Sequence, residues 1–474
     1  ADQKTLESIH KEAKAMVRTS KNNSWKKYTS EIQQELEEVS TLIEAAAQSS
    51  SEKQFILKEL ENLKKTYEPI RKDLFNAARK VIRMMYKENS AQKSKLGGWV
   101  KTAIDNCYDK YSSHLYSESD LSIHNIKSVP PIYGQDNRME DGRIILRENF
   151  NTQLSKIPEL LIFGEDAGKI GGVNQSLEGL QEQYGVHRVF DTGIRECTII
   201  GQGIGMAMRG LRPIAEIQYL DYLLYAVQVL SDDLATVQYR TKGGQKAPLI
   251  VSTRGHRLEG IWHSGSPMGM IINALRGMMI CVPRNMTKAA GFYNTLLQAD
   301  EPALVIEPLN GYRTKEKYPE NIGEFTEPLG IPEIVQEGTD LTLVSYGSTF
   351  NICELAAKQL TQFGISVELV DIQTLIPFDI NHKIAESLKK TNRLLVIDED
   401  VSSGATGFIL DKIMVEQECF YHLDSAPQTM SSKDHRPAYG SDGDYFSKPN
   451  IDDIIEKCYA IMSEVDPSRF PPLY

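Results

Sequence analysis

Leu160-Leu161-Ile162-Phe163-Gly164-Glu165-Asp166 is a short apolar run that stops on a glycine and two carboxylates. An unbroken run of this length suits a strand covered on both faces, as in a parallel sheet, because a strand with one wet face alternates instead. Runs of the same kind recur at Arg212 to Ile217, Pro248 to Ser252, Met278 to Val282 and Ala303 to Ile306, with helical patterns between them. That alternation predicts an α/β fold, a parallel sheet covered by helices, ending near Gly330. A second α/β unit follows, with strands at Leu341 to Ser345, Ser366 to Asp371 and Leu394 to Asp398. Ser345-Tyr346-Gly347-Ser348 marks its first strand-to-helix turn. The tail from Asp424 to Lys448, rich in Ser, Asp, Pro and Gly, reads as a long surface loop before a last helix near Ile451 to Met462.

Upstream the texture is all-helical. Ile32, Leu36, Val39, Ile43 and Ala46 are spaced by four and three and line one helix face. A second stripe runs through Leu60, Leu63, Tyr67, Ile70, Leu74, Ala77, Val81 and Met84, interrupted by Pro69, which kinks that helix or starts a new one. Ser49, Ser50 and Ser51 form the hinge between the stripes. Lys87 to Gly98 reads as a loop before a helix from Trp99 to Tyr116, and the composition shifts again at Val129, Pro130 and Pro131. The expected organisation is a helical linker or docking region over 1–125, an α/β domain over 136–325 and a second α/β domain over 326–474. The helical stripes suit packed hairpins or a coiled coil that binds a partner.

Bulk properties narrow the function classes. A chain of 474 residues with 41% hydrophobic content can bury more than one core. No apolar run is long enough for a spanning helix, and the first residues do not resemble a signal peptide, so no membrane role and a cytoplasmic location are expected. The net charge of −11 disfavours broad nucleic-acid binding. The six cysteines show no metal-ligand spacing and suit free thiols in a reducing compartment, none of them catalytic. The first residue is not Met, which fits a processed terminus or a piece of a longer chain.

Several ordered motifs now point one way. They are Phe163-Gly164-Glu165-Asp166, the segment from Arg188 through Asp191-Thr192-Gly193-Ile194-Arg195 to Glu196, the run Gly201 to Met208, and Gly210 through Glu216-Ile217 to Gln218. Downstream stand His263-Ser264-Gly265-Ser266-Pro267 and Leu375-Ile376-Pro377-Phe378-Asp379. Together these resemble the beta subunit of the thiamine diphosphate-dependent 2-oxoacid dehydrogenases of the branched-chain and pyruvate type, within the transketolase-like superfamily. The resemblance covers roughly residues 140 to 450. It implies a thiamine-pyrimidine-binding domain followed by a transketolase C-terminal-like domain, and an enzyme that decarboxylates a 2-oxo acid and passes the acyl group to a lipoyl arm. Transketolase-like transferases and a non-catalytic interaction subunit that keeps the fold are the alternatives.

The resemblance also implies roles for residues. Glu196 takes the position of the carboxyl group that hydrogen-bonds the cofactor's pyrimidine nitrogen and favours its imino tautomer, and burial beside a heterocycle tends to raise such a group's pKa. Gln218 and Tyr222 take the positions of pyrimidine contacts, an amide for the polar edge and an aromatic face for stacking. His263 matches a histidine facing the thiazolium that exchanges a proton when the lipoyl dithiolane opens. Taken without the resemblance, Glu196 answers a helix dipole, Tyr222 is a core aromatic and His263 is structural. His256, close by, competes for the histidine role. Gly201, Gly203 and Gly205 lack the spacing of a dinucleotide fingerprint and read as close helix packing.

One segment expected of a complete site is missing. The Gly-Asp-Gly stretch that holds pyrophosphate and magnesium has its nearest match in Ser441-Asp442-Gly443-Asp444, which lies in the loop-like tail. The expected metal set of this chain is therefore none, with magnesium supplied by an alpha-type partner that binds the pyrophosphate. A dimer of alpha-beta units, a lipoyl transacylase and a 2-oxo acid complete the expected partners. The N-terminal helices depart from a usual beta subunit and suit a fused alpha-beta polypeptide. Finally, the family's monovalent-cation loop falls near Leu296 to Pro302, where Ala299 and Glu301 replace the expected residues, so the match does not decide whether potassium binds.

Overall fold

The computed structural model describes residues 2–256 and 263–474 and divides into two compact units, Ala1–Ser113 and His114–Tyr474. The first unit contains four helices, α1 (Gln3–Gln48), α2 (Lys53–Lys65), α3 (Arg71–Met84) and α4 (Ala91–Tyr111). Ile32, Val39, Ile43 and Ala46 of α1 are buried against Leu60, Leu63, Leu74, Ala77 and Val81. Tyr67 and Ile70 leave the second stripe and are exposed, because Pro69 starts a new helix and both residues lie in the link. The serine hinge is pinned where the hydroxyls of Ser50 and Ser51 donate to the Glu88 carboxylate at 2.9 and 2.7 Å. Arg71, almost fully buried, donates through Nε and Nη2 to Glu35 at 2.9 and 2.8 Å.

Helix α4 corrects the expected loop. It begins at Ala91 rather than Trp99, with the Ser90 side chain accepting from the Lys93 N–H, and it ends at Tyr111 rather than Tyr116. Gly97 and Gly98 therefore lie inside a helix. Each glycine costs about 1 kcal/mol there, offset by a cap worth about 1 kcal/mol and by burial of Leu96 and Val100.

Besides a two-stranded sheet of Met139–Asp141 on Lys315–Lys317, the described residues of the second unit hold two larger sheets. The seven-stranded sheet consists of β1 (Leu160–Gly164), β2 (Val189–Asp191), β3 (Arg212–Ile217), β4 (Ile250–Gly255), β5 (Met279–Cys281), β6 (Ala303–Pro308) and, from further along the chain, Thr374–Ile376. The five-stranded sheet consists of β7 (Glu333–Gln336), β8 (Leu341–Ser345), β9 (Val367–Asp371), β11 (Leu394–Val401) and β12 (Gln428–Ser432), with Thr374–Ile376 numbered β10. The first sheet runs β10-β5-β6-β4-β3-β1-β2 and the second β12-β11-β8-β9-β7. All pairings are parallel except the two edges, β10 on β5 and β7 on β9. β1, β3, β4, β5 and β6 are buried along most of their length, as a doubly covered sheet requires, whereas the edge strand β2 buries only Val189.

Two features of this unit differ from the sequence reading. Leu375-Ile376, expected as part of the second unit's own fold, instead pairs with Cys281 and Ile280 at the edge of the first sheet. The tail is not all loop: β12 joins the second sheet in register Leu395↔Gln428, Val396↔Thr429, Ile397↔Met430, and Ser441–Ser447 is a helix. Both misreadings concern non-local pairing, which supplies hydrogen bonds to segments whose own composition is neutral. Helix α5 (Glu196–Met208) gives a third correction. A Cβ on Gly203 would lie 2.8 Å from Leu249 Cδ1, so close packing demands glycine there, whereas Gly201 and Gly205 face open space.

The sheets are tied by a buried histidine. His256 follows β4 with φ +56°, accepts the Ser348 N–H at Nδ1 (3.1 Å) and so donates from Nε2 to Asp398 Oδ1 (2.7 Å), while stacking on Tyr346 at 4.7 Å. Among the described residues no helix is long and apolar enough to cross a membrane.

Gly347 opens the helix after β8 with φ +55°, and a Cβ there would stand 2.6 Å from His256 Nδ1 and 2.7 Å from Val282 Cγ1. Gly347→Ala combines left-handed strain with a clash into the His256 ring, and is expected to lower the thermal midpoint by several degrees, on the order of 1–3 kcal/mol. Differential scanning calorimetry of the variant checks this.

Candidate functional site

In the first sheet β1 lies between β2 and β3, so the chain leaves β1 toward one neighbour and returns on its other side. Connections diverging from adjacent parallel strands open a crevice beyond their carboxyl ends, where α/β folds place ligands. Glu165 and Asp166 follow β1, Asp191 ends β2, Glu196 opens α5, and Gln218 follows β3. The carboxyl edge therefore gathers acidic groups at the switch point. Asp191 Oδ1 accepts the Gly168 N–H at 2.7 Å and Asp166 Oδ2 accepts from Gln218 Nε2 at 2.6 Å, which fixes the loop after β1 onto β2 and β3.

Glu196 differs from these neighbours. It is 8% exposed, and no protein donor reaches its carboxylate among the described residues. A carboxylate on the crevice wall with no protein donor is open to a ligand or an ordered water. Its field is felt locally. Burial raises the pKa of Glu165, and the charges of Glu196, Asp166 and Glu216 push it further in the same direction. Burial likewise raises the Tyr222 hydroxyl, followed by the charges of Glu165, the Tyr219 group, Glu196 and Asp221. Glu165, Glu196 and Tyr222 thus share one pocket of potential.

Beside them sits an aromatic group. His263 stacks on Tyr219, with ring centroids 4.5 Å apart and planes at 16°, and meets Tyr222 edge-on at 5.2 Å. Its Nδ1 is buried without a hydrogen-bond partner. His256 is turned away, engaged between the sheets by Asp398 and Ser348. The structure accordingly brings Glu196, Gln218, Tyr222 and His263 to the same carboxyl edge and leaves His256 as a strut.

The floor of this edge was not singled out from the sequence. Glu216 and Arg254, at the ends of β3 and β4, form an ion pair of 2.6 Å with side chains 4% and 1% exposed. Arg254 also lies over the Tyr312 ring at 5.6 Å, and Glu307 accepts from the hydroxyls of Tyr293 (2.5 Å) and Tyr312. An arginine closing an apolar strand run is the signal that could have found it. A second unforeseen link joins Arg436 of the tail to Asp221 at 2.6 Å, one residue from Tyr222. Among the described residues no group of three His, Cys, Asp or Glu is arranged to hold a metal ion.

These groups suit one end of a flat, polar-edged heterocycle: a partnerless buried carboxyl, an amide whose Nε2 is already committed and whose oxygen remains, and an aromatic ring. Comparison with known proteins agrees with that shape. Residues 141–315 match the transketolase pyrimidine binding domain, and residues 330–450 match the transketolase C-terminal domain. The pyruvate dehydrogenase E1 component subunit beta of Acholeplasma laidlawii is 33% identical over 285 residues, covering 60% of this chain and 86% of the relative. The mitochondrial 2-oxoisovalerate dehydrogenase subunit beta of Chaetomium thermophilum is 32% identical over 330 residues, covering 68% of each. Among solved structures, a split gene transketolase in an inactive beta4 tetramer shares the fold, with a TM-score of 0.55, 16% identity, and coverage of 68% of this chain and 98% of that one.

Glu196→Gln removes the largest of the charges that help burial hold Glu165 up. The Glu165 carboxyl is therefore expected to titrate at lower pH in that variant. Carbon-13 NMR of glutamate-labelled protein, with Glu165→Gln assigning the resonance, reads the midpoint; an unmoved midpoint would show that the two carboxylates do not share a field.

Proposed function

The chain belongs to the beta subunits of the 2-oxoacid dehydrogenases, and from that membership we propose that its carboxyl-edge crevice is the pyrimidine-receiving half of a thiamine diphosphate site. The family's members are thiamine-dependent E1 components. The observation that carries the reading is Glu196, a buried carboxylate with no protein donor, at the switch point of a parallel sheet and in the same field as Tyr222.

When bound, thiamine diphosphate supplies an acidic ring carbon that adds to a 2-oxo acid and accepts the electrons left by loss of carbon dioxide. Glu196 would hydrogen-bond the pyrimidine nitrogen on the far side from the amino group, a contact that favours the amino group's acting as a base. Gln218, its Nε2 held by Asp166, turns its Oε1 toward the pyrimidine's polar edge. Tyr222 offers its ring face, and His263, freed from Tyr219, delivers the proton that dithiolane opening consumes. Glu196 and His263 are the proposed catalytic residues, and Glu196, Gln218 and Tyr222 the proposed cofactor contacts.

The diphosphate and magnesium are assigned to an alpha-type partner, in an assembly built from alpha-beta units. Support comes from the face of α5 beside the site. Gly201 and Gly205 open onto empty space there and Ile194 is 69% exposed, a smooth apolar surface that suits a helix of a partner subunit. The substrate is a short 2-oxo acid of the pyruvate or 2-oxoisovalerate class, and the acyl group passes to the lipoyl arm of a transacylase.

In the chain reconstituted with an alpha-type subunit, Glu196→Gln is expected to leave assembly intact and slow decarboxylation by at least about two orders of magnitude. Proton-deuterium exchange at the thiazolium carbon reads the step directly, and an unchanged exchange rate would sink the assignment. His263→Ala is expected to depress acyl transfer to lipoamide far more than ferricyanide-coupled decarboxylation, which bypasses the lipoyl arm. Equal losses in both assays would instead make His263 a general part of the pocket.

A further inference from the structure

The turn after helix α6 (Met286–Leu296) is the loop at which the family resemblance would place a monovalent cation. A helix carboxyl end and two acidic residues, Asp300 and Glu301, make it a negative place. Several of its oxygens are nevertheless engaged. Arg212 donates from Nη2 to the carbonyls of Leu296 (2.8 Å) and Ala299 (2.7 Å), and Gln238 Nε2 donates to the Asp300 carbonyl (3.3 Å). The Lys246 ammonium is in contact with Asp300 Oδ2, which also accepts from Ser119 Oγ at 2.7 Å. Glu301, 1% exposed, accepts from Ser122 Oγ (3.1 Å) and the Ile123 N–H (3.1 Å).

We propose that Lys246 and Arg212 act as built-in counter-cations for the Leu296–Pro302 turn, so that this chain holds the turn without a bound potassium ion. The charge balance supports this. Two cations face Asp300, Lys246 in contact and Arg212 through its field, and burial of Asp300 is outweighed by Lys246 and the serine hydroxyls, which hold it below its usual pKa; beside it, burial and then Asp300 raise Glu301 to about 7. Whether Glu301 is ionised or protonated, no surplus negative charge remains to draw a metal cation out of water. Asp300 Oδ1 is the one buried carboxylate oxygen here without a protein partner, and a single oxygen does not make a cation cage. The pairing of an acidic residue in the turn with a lysine facing it is what lets a side chain replace an ion.

The consequence reaches the site through β3. Arg212 is the first residue of that strand, and Gln218 follows its last. A guanidinium anchored on the α6 turn sets where β3 starts, and with it where the Gln218 amide ends. Arg212 is thus a positioning residue, and Lys246 balances the charge of the turn that anchors it.

Thermal unfolding of the full chain in potassium chloride, sodium chloride and choline chloride at equal ionic strength tests the proposal. The midpoints are expected to coincide, while Lys246→Met lowers the midpoint by about 2–4 °C and Lys246→Met with Asp300→Asn regains most of that loss. Crystals grown in thallium(I) acetate are expected to show no anomalous density in the turn. A potassium-specific, saturable rise for the parent chain, thallium bound in the turn, or a Lys246→Met midpoint equal to the parent's would each overturn it.

Discussion

A carboxylate inside a parallel sheet must be neutralised or it unfolds the sheet around it, and in this chain Arg254 neutralises Glu216. The pair is buried to within a few per cent, where separating the charges would leave one of them unpaired, a loss of about 3–5 kcal/mol. It also organises its surroundings. Glu216 stands two residues before Gln218, Arg254 stands two before His256, and the guanidinium reaches the ring of Tyr312 while Glu307 lies within its field. The ends of β3, β4 and β6 are therefore held at one level, and the groups that follow them emerge in fixed relation. The acidic character of the crevice above rests on this floor, because the charge of Glu216 is one of those that raise Glu165.

Much of the fold is legible because its signals are local. Arg212–Ile217 and Leu341–Ser345 have the same bounds in sequence and structure, since an apolar run bounded by a turn residue has no competing assignment. The places where reading fails are those where distant partners decide. β12 is a polar segment that becomes a strand because β11 offers it an edge, and β10 leaves its neighbours in sequence to complete another sheet. Helix α4 starts early because a serine cap and two buried side chains outweigh two glycines. For the crevice, the order of motifs suffices to bring Glu196, Gln218, Tyr222 and His263 to one edge, since all follow or adjoin parallel strands. Arg254 escapes notice, and Glu165 is seen only as part of a motif, because a single arginine or carboxylate at a strand end carries no pattern of its own. Their meaning comes from what burial places opposite them.

The two sheets of the second unit exchange structure rather than merely touch. His256 of the first is gripped by Asp398 and the Ser348 amide of the second, and β10, read along the chain as part of the second, hydrogen-bonds to β5 of the first. The apparent seam at Gly330 is thus crossed by a strand and by several side chains, Arg284 on Asp371, Ser266 on Glu399 and Arg436 on Asp221 besides His256. Recombination that joined the front of one such gene to the back of another at that seam would separate β5 from the strand that covers it. The hybrid would set β5 against a β10 shaped for another sheet, and an ill-fitting edge strand leaves its neighbour open to other chains. The two halves therefore fold as one piece, and a joint that spares β5 its mismatch falls upstream of the first sheet.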